Sequence, residues 1–178
     1  IFAKAMGTGH PIAAVIGTKE AMDGAQTSFI SSTYWTESVG PTAALKTIEV
    51  MEKTKVWEHV ERIGKTVQND WITLGEKHGL KIDCSLDSYA CLAHFGFKDY
   101  PAELGTLYCV LMLKEGFLAG NGIYPTLAHT DEILAKYRTA IDKVFGIIAD
   151  LLKNGGKEAI VEAIGGPVRH SGFARLID

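Results

Sequence analysis

The spacing of apolar residues predicts long amphipathic helices in the second half of the chain. Apolar side chains recur every three or four residues over residues 56–74, as on one buried helix face, and Gly79 is a typical residue after a helix end. The same spacing over residues 133–152 predicts a second long helix with Thr130 as its N-cap. Further helices are predicted from Gly40-Pro41 to 51, over 101–114 and, after a stop at 154–156, over 157–164. One helical turn is predicted at 19–23, and Thr54 is expected to cap the start of the 56–74 helix.

Shorter apolar runs predict strands. Residues 12–16 are apolar, partly β-branched and followed by Gly17, which is typical of a buried strand. Residues 80–84, 88–95 and 116–119 are also predicted as strands. Few strands among several helices from residue 56 onward predict a small α+β unit, with an antiparallel sheet covered on one face.

Composition and charge are those of a globular protein. Apolar residues make up 47% and charged residues 22% of the chain, and the formal net charge is −3, so neither disorder nor a nucleic-acid partner is expected. Three cysteines are too few for a disulfide framework, which predicts a cytoplasmic, reducing location. No apolar run is long enough to span a membrane, so no membrane partner is expected. Because the chain starts with Ile1 inside a glycine-rich segment, we expect it to be part of a longer polypeptide.

Lys4 is the first candidate for chemistry, because its sequence neighbours are apolar. An amine in apolar surroundings loses solvation of its charged form, so its pKa falls and it becomes a nucleophile suited to a Schiff base. A surface lysine is the more common interpretation of composition alone. Gly7 and Gly9 are expected to form a tight hairpin rather than a dinucleotide site, because Ile12 stands at the third glycine position of that motif.

Hydroxyl groups and histidines give a second set of candidates. Ser31, Ser32 and Thr33 present hydroxyls and successive amides that suit a phosphate, although an ordinary solvated turn is the more common explanation of such residues. The six histidines do not cluster with cysteines or acids at zinc-ligand spacing, so no metal site is predicted.

Two motifs near the start of the chain resemble class III pyridoxal-phosphate (PLP) aminotransferases. Residues 2–17, Phe-Ala-Lys-Ala-Met-Gly-Thr-Gly-His-Pro-Ile-Ala-Ala-Val-Ile-Gly, closely resemble the lysine segment of that family. Residues 29–34 and 40–45 are similar to its Ser-Thr-Phe-Gly-Gly-Asn-Pro segment, with Trp-Thr-Glu-Ser-Val at 35–39 in place of the two glycines. This variant resembles the glutamate-1-semialdehyde aminotransferase and aminomutase branch. The remaining chain, with His-Thr-Asp-Glu at 129–132, is similar in layout to the family's small C-terminal domain.

The resemblance implies a fold, a cofactor and site residues. The chain would be the C-terminal part of an α/β fold-type-I PLP-dependent transferase, with residues 1–53 at the edge of the large PLP-binding domain and 54–178 as the small α+β domain. Lys4 matches the lysine that forms the internal aldimine. Thr33 matches the threonine that binds the cofactor phosphate of the neighbouring subunit, and Ser32 assists through its backbone. A homodimer with shared active sites, acting on a small-molecule amino donor and a carbonyl acceptor, is expected.

Alternatives to a simple transaminase stay open. An intramolecular aminomutase of the same family uses the same lysine, and a non-catalytic α+β dimerisation module is a third interpretation. The family's acidic partner of the pyridine nitrogen, its stacking aromatic ring and its phosphate loop precede the lysine, so we expect residues 1–178 alone to be inactive. For a substrate carboxylate, Arg169 and Arg175 are candidates, whereas Arg62 and Arg138 are expected to be solvated on helix faces.

Overall fold

The computed structural model describes residues 1–34 and 36–170 of the chain. The chain divides into two compact units, Ile1–Val56 and Trp57–Asp178. The assignment of these parts to a large and a small domain stays a prediction.

The first unit consists of short helices, irregular segments and one longer helix. A 3-10 turn, Lys4–Met6, precedes helix α1, Lys19–Asp23, whose start is capped by the side chain of Thr18. Another 3-10 turn, Gly24–Gln26, follows, and helix α2 spans Val39–Thr54. The one-turn helix and the helix at Gly40-Pro41 are therefore confirmed, the latter starting one position earlier.

The predicted buried strand over residues 12–16 is wrong for this chain. Only Ala14 pairs, through a single antiparallel bridge to Phe2, and the side chains of Val15 and Ile16 are 51% and 66% exposed. The apolar run has no neighbouring strand on which to extend the pairing. Among the described residues of the first unit, Ala44 is the one buried hydrophobic side chain.

Thr54 ends α2 instead of starting the next helix. Its hydroxyl donates to the carbonyl of Val50 at 2.8 Å, and Lys55 takes the left-handed conformation with φ 47°. The expectation that Thr54 caps the 56–74 helix is therefore wrong, because its side chain is already used within the preceding turn.

The second unit is built on three long helices. Helix α3 spans Val56–Lys77, α4 spans Pro101–Lys114 and α5 spans Asp131–Ile164, as the apolar spacing predicts. Thr130 caps α5 by accepting a hydrogen bond from the amide of Ile133. Gly156 interrupts α5 with φ 59° and ψ −143°, which confirms the predicted stop before the last helical stretch.

The sheet of the second unit is shorter than predicted. Strand β1, Ile82–Asp83, pairs antiparallel with strand β2, Gly96–Phe97, with Ile82 opposite Phe97. The predicted strand over 88–95 is instead a loop that contains a 3-10 turn, Ala90–Leu92, and residues 116–119 form no strand.

The core of the second unit is rich in aromatic rings. Phe95 lies at its centre, with ring centroids 4.7 Å from Trp71, 5.2 Å from Tyr108 and 6.0 Å from Phe145. These rings come from α3, α4 and α5 and from the segment before β2, so they join all the main elements of this unit.

Candidate functional site

Lys4 lies in a loop whose two ends are joined by backbone hydrogen bonds. The amides of Phe2 and Ala14 each donate to the carbonyl of the other at 2.8 Å. Lys4 opens the 3-10 turn with φ 53°, a left-handed conformation that is uncommon for a residue with a side chain. The expected tight hairpin at Gly7 and Gly9 is not formed, because both glycines lie inside the long loop that this single bridge closes.

Two further contacts hold the turn after Lys4. A Cβ atom added at Gly7 would lie 2.3 Å from the carbonyl oxygen of His10 and 2.6 Å from Cγ2 of Ile12, so only glycine fits there. The hydroxyl oxygens of Thr8 and Thr47 are 2.9 Å apart, which ties this turn to α2.

The Lys4 amine is exposed and unpartnered. Within the part of the chain that the structure describes, it takes part in no hydrogen bond or ion pair. The expected apolar surroundings are absent, because Phe2, Ala3 and Ala5 are exposed as well. The amine is therefore accessible to a carbonyl compound, without the burial that the sequence led us to expect.

Ser32 and Thr33 lie on an exposed turn between α1 and α2. The Ser32 hydroxyl oxygen accepts a hydrogen bond from the amide of Tyr34 at 3.2 Å, whereas the Thr33 hydroxyl has no partner among the described residues. Ser32 also lines an open cavity of about 650 Å³, with Pro11, Ile12 and Tyr34 among its other walls. Neither Lys4 nor Thr33 lines this cavity, so within one chain the structure does not bring the two together there.

Glu37 is a residue of this region that the sequence reasoning missed. Its carboxylate accepts hydrogen bonds from the amides of Val39 and Gly40, the latter at 2.9 Å, and so caps the start of α2. An acidic residue just before a Gly-Pro helix start was the available signal, because a negative charge is favourable at a helix N-terminus.

The candidate arginines are engaged in contacts within the second unit. Arg169 donates to Oδ1 of Asn121 at 3.0 Å and to the carbonyl of Pro101 at 3.2 Å. Arg62 pairs with Asp131 at 2.7 Å. Arg138 pairs with Asp70, whose side chain is only 7% exposed, which corrects the expectation of a purely solvated Arg138. Arg175 lies outside the described residues.

Metal-binding clusters and membrane-spanning helices are both absent from the part of the chain that the structure describes. The described residues contain no group of three or more histidine, cysteine or acidic side chains arranged to hold a metal ion. None of their helices has the length and apolar character needed to cross a membrane.

Residues 1–82, which include the Lys4 turn, the Ser32 and Thr33 turn and α2, match the sequence model of the family "Aminotransferase class-III". This segment belongs to the class III aminotransferases. The match includes both motifs on which the resemblance rested.

Similarity to curated aminotransferases extends beyond residue 82. The chain is 35% identical over 158 residues to 3-aminobutyryl-CoA aminotransferase of Cloacimonas acidaminovorans, covering 85% of this chain and 38% of the relative. It is 27% identical over 143 residues to 2'-deamino-2'-hydroxyneamine transaminase of Streptomyces kanamyceticus, covering 78% and 36%. It is 24% identical over 148 residues to aminopentol aminotransferase of Sphingopyxis macrogoltabida, covering 82% and 35%. The chain thus spans a little over a third of the length of these relatives.

A solved structure shares the fold of this chain. The PLP internal aldimine form of the FumI protein of Sphingopyxis sp. MTA144 superposes with a TM-score of 0.75 at 22% identity, over 84% of this chain and 36% of that one. The predicted fold class, a part of a fold-type-I transferase ending in a small unit with an antiparallel sheet, is confirmed.

Proposed function

We propose that this chain is part of a PLP-dependent aminotransferase that transfers an amino group from a small-molecule donor to a carbonyl acceptor. The observation that carries the proposal is the unpartnered Lys4 amine, which a glycine-dependent turn presents inside the class III segment.

The side chains present fit the chemistry of PLP. An exposed primary amine without a hydrogen-bond partner suits the aldehyde group, and the exposed hydroxyls of Ser32 and Thr33 suit the phosphate. When bound, PLP supplies the electron sink that makes the donor's Cα–H bond acidic.

Each residue then has a defined task. Lys4 would hold the aldehyde group of PLP through its amine, with loss of water, and the amine freed by the donor would accept the proton from the donor's Cα. The Thr33 hydroxyl would hold the phosphate, and Ser32 supports the same turn by accepting a hydrogen bond from the Tyr34 amide.

Several finer points belong to the same proposal. We propose a homodimer in which Thr33 serves the partner's cofactor, which is in keeping with the absence of Lys4 and Thr33 from the walls of the cavity beside Ser32. The glutamate-1-semialdehyde branch and its aminomutase variant remain hypotheses about the substrate. The three free cysteines favour a cytoplasmic location.

Covalent trapping tests the role of Lys4. The full-length protein is incubated with PLP, reduced with borohydride and digested, and the modified peptide is identified by mass spectrometry. We expect one major adduct on Lys4 and none in Lys4→Ala, because no other amine can take over a positioned covalent bond.

Lys19→Ala is the matched control, since Lys19 is another exposed lysine in the same unit. It should leave the Lys4 adduct unchanged. An adduct spread evenly over surface lysines, or one that persists in Lys4→Ala, would contradict the proposed function.

A further inference from the structure

We propose that Glu37 is a positioning residue that holds the Ser32 and Thr33 hydroxyls in the orientation needed for the cofactor phosphate. The inference rests on the proposed function. Glu37 itself touches neither the phosphate nor Lys4 in this proposal, because its carboxylate is occupied by the start of α2.

Glu37 connects the hydroxyl-bearing turn to α2 by two sets of hydrogen bonds. Its backbone amide donates to the carbonyl of Tyr34 at 3.3 Å. The backbone amide of Tyr34 in turn donates to the hydroxyl oxygen of Ser32 at 3.2 Å. Its side chain accepts from the amides of Val39 and Gly40. The one residue therefore joins the end of the turn to the first turn of the helix.

Burial points to the same residue. Among the described residues from 26 to 39, Glu37 is the one that is not exposed. Apolar packing therefore does not hold this loop, and its conformation depends on the hydrogen bonds that pass through Glu37.

The start of α2 is also fixed against the loop that carries Lys4. A Cβ atom at Gly40 would lie 3.0 Å from the carbonyl oxygen of Pro11 and 3.3 Å from Cβ of Ile12. The other side of Ile12 packs against Gly7, in the turn after Lys4. Because Glu37 caps α2 and the start of α2 packs against Pro11 and Ile12, the position of the Ser32 and Thr33 turn is fixed relative to the turn that carries Lys4.

The carboxylate is suited to this task because it has two acceptor oxygens. Oε1 accepts from Val39 and Oε2 from Gly40, so two amides that have no partner within the helix are satisfied at once. Glutamine at this position keeps one acceptor oxygen and turns its carboxamide NH2, a donor, toward the second backbone N–H, whereas alanine keeps no acceptor. A graded series of variants is therefore available.

The test compares PLP with pyridoxal, which lacks the phosphate. Dissociation constants for both are measured by absorbance titration with full-length wild type, Glu37→Gln and Glu37→Ala. We expect Glu37→Ala to weaken PLP binding about tenfold while pyridoxal binding changes less than about twofold, and Glu37→Gln to fall between wild type and Glu37→Ala.

Thr42→Val is the matched control. The Thr42 hydroxyl donates to the carbonyl of Ser38 at 2.7 Å, so this variant weakens the same helix start without touching the turn. It should leave the ratio of PLP to pyridoxal affinity at the wild-type value.

Three results would overturn the inference. Equal weakening of PLP and pyridoxal in Glu37→Ala and Glu37→Gln would reduce Glu37 to a general stabiliser of the fold. Unchanged PLP affinity in both variants would show that the turn needs no support from Glu37. A wild-type protein that forms no Lys4 adduct would remove the proposed function itself, and the trapping experiment reports that failure separately. If Glu37→Ala does not fold, the comparison of Glu37→Gln with Thr42→Val decides.

Discussion

At the scale of single residues, buried polar atoms depend on individual partners. The indole N–H of Trp71 donates to the Tyr137 hydroxyl at 3.3 Å, and the hydroxyl oxygens of Tyr137 and Tyr108 are 3.0 Å apart. Burial raises the pKa of both tyrosines above the ordinary value, so the two hydroxyls stay neutral at physiological pH. The three groups form a small polar network inside an otherwise apolar core.

Tyr137→Phe should be costly for this reason. It leaves the fully buried Trp71 N–H without its acceptor, so we expect the free energy of unfolding to fall by about 1–3 kcal/mol. Urea denaturation followed by circular dichroism measures the change. Tyr124→Phe is the control, because Tyr124 is 74% exposed and its change should be close to neutral. A Tyr137→Phe protein as stable as wild type would contradict the importance of this network.

Residue identity also decided what the sequence could show of the candidate site. Lys4, Ser32 and Thr33 were predicted because they stand in motifs whose residue types are tied to a cofactor. Glu37 was missed although an acidic residue just before a Gly-Pro helix start is a signal for capping, because the contacts of its carboxylate with two backbone amides appear only in the structure. The exposure of Lys4 agrees with the surface lysine that composition alone favours, and the apolar residues next to it in sequence do not pack around it.

At the scale of elements, helices were predicted well and strands poorly. The helices α3, α4 and α5 carry their signal in a local repeat, so their existence follows from the sequence. The strand predicted over residues 88–95 does not form, because contacts with α3 outweigh the local strand preference of this segment. Gln68 of α3 donates to the carbonyl of Ser85 and to the hydroxyl of Ser88, which holds the segment as a loop against the helix.

Gly64 allows helix α3 to approach the loop that contains Ala90, and replacing Gly64 tests this close approach. A Cβ atom at Gly64 would lie 1.9 Å from the carbonyl oxygen of Ala90, so helix and loop would have to move apart. We expect Gly64→Ala to lower the free energy of unfolding by about 1–3 kcal/mol, even though alanine favours helices. Thermal unfolding checks this. Gly120→Ala is the control, since no atom lies within 4 Å of the added Cβ. A stabilised Gly64→Ala would show that the loop does not approach the helix so closely.

At the scale of the whole molecule, the two units differ in how much apolar surface they bury. The second unit contains a contiguous core that includes Trp71, Tyr108 and Phe145, each with no exposed surface. In the first unit, apolar side chains such as Phe29, at 96% exposed, and Leu45, at 71% exposed, remain on the surface. The fold class could be predicted because sequence motifs and helical repeats are local signals. The unequal burial of the two units could not be predicted, because it depends on which segments pack together in three dimensions.

Hydrogen exchange should reveal that difference in the 178-residue chain. We expect the amides of α3, α4 and α5 to exchange at least about a hundredfold more slowly than those of α2, because local opening costs less where little apolar surface is buried. Mass spectrometry of peptic fragments measures the rates. Equal protection of α2 and α4 would contradict this expectation.

The backbone at Gly156 has a consequence for the gene that encodes this chain. Its φ of 59° and ψ of −143° lie in a region that residues with a side chain almost never occupy. Every single-nucleotide missense change in a glycine codon introduces such a side chain. We therefore expect every single-nucleotide missense change at codon 156 to strain the backbone and destabilise the fold.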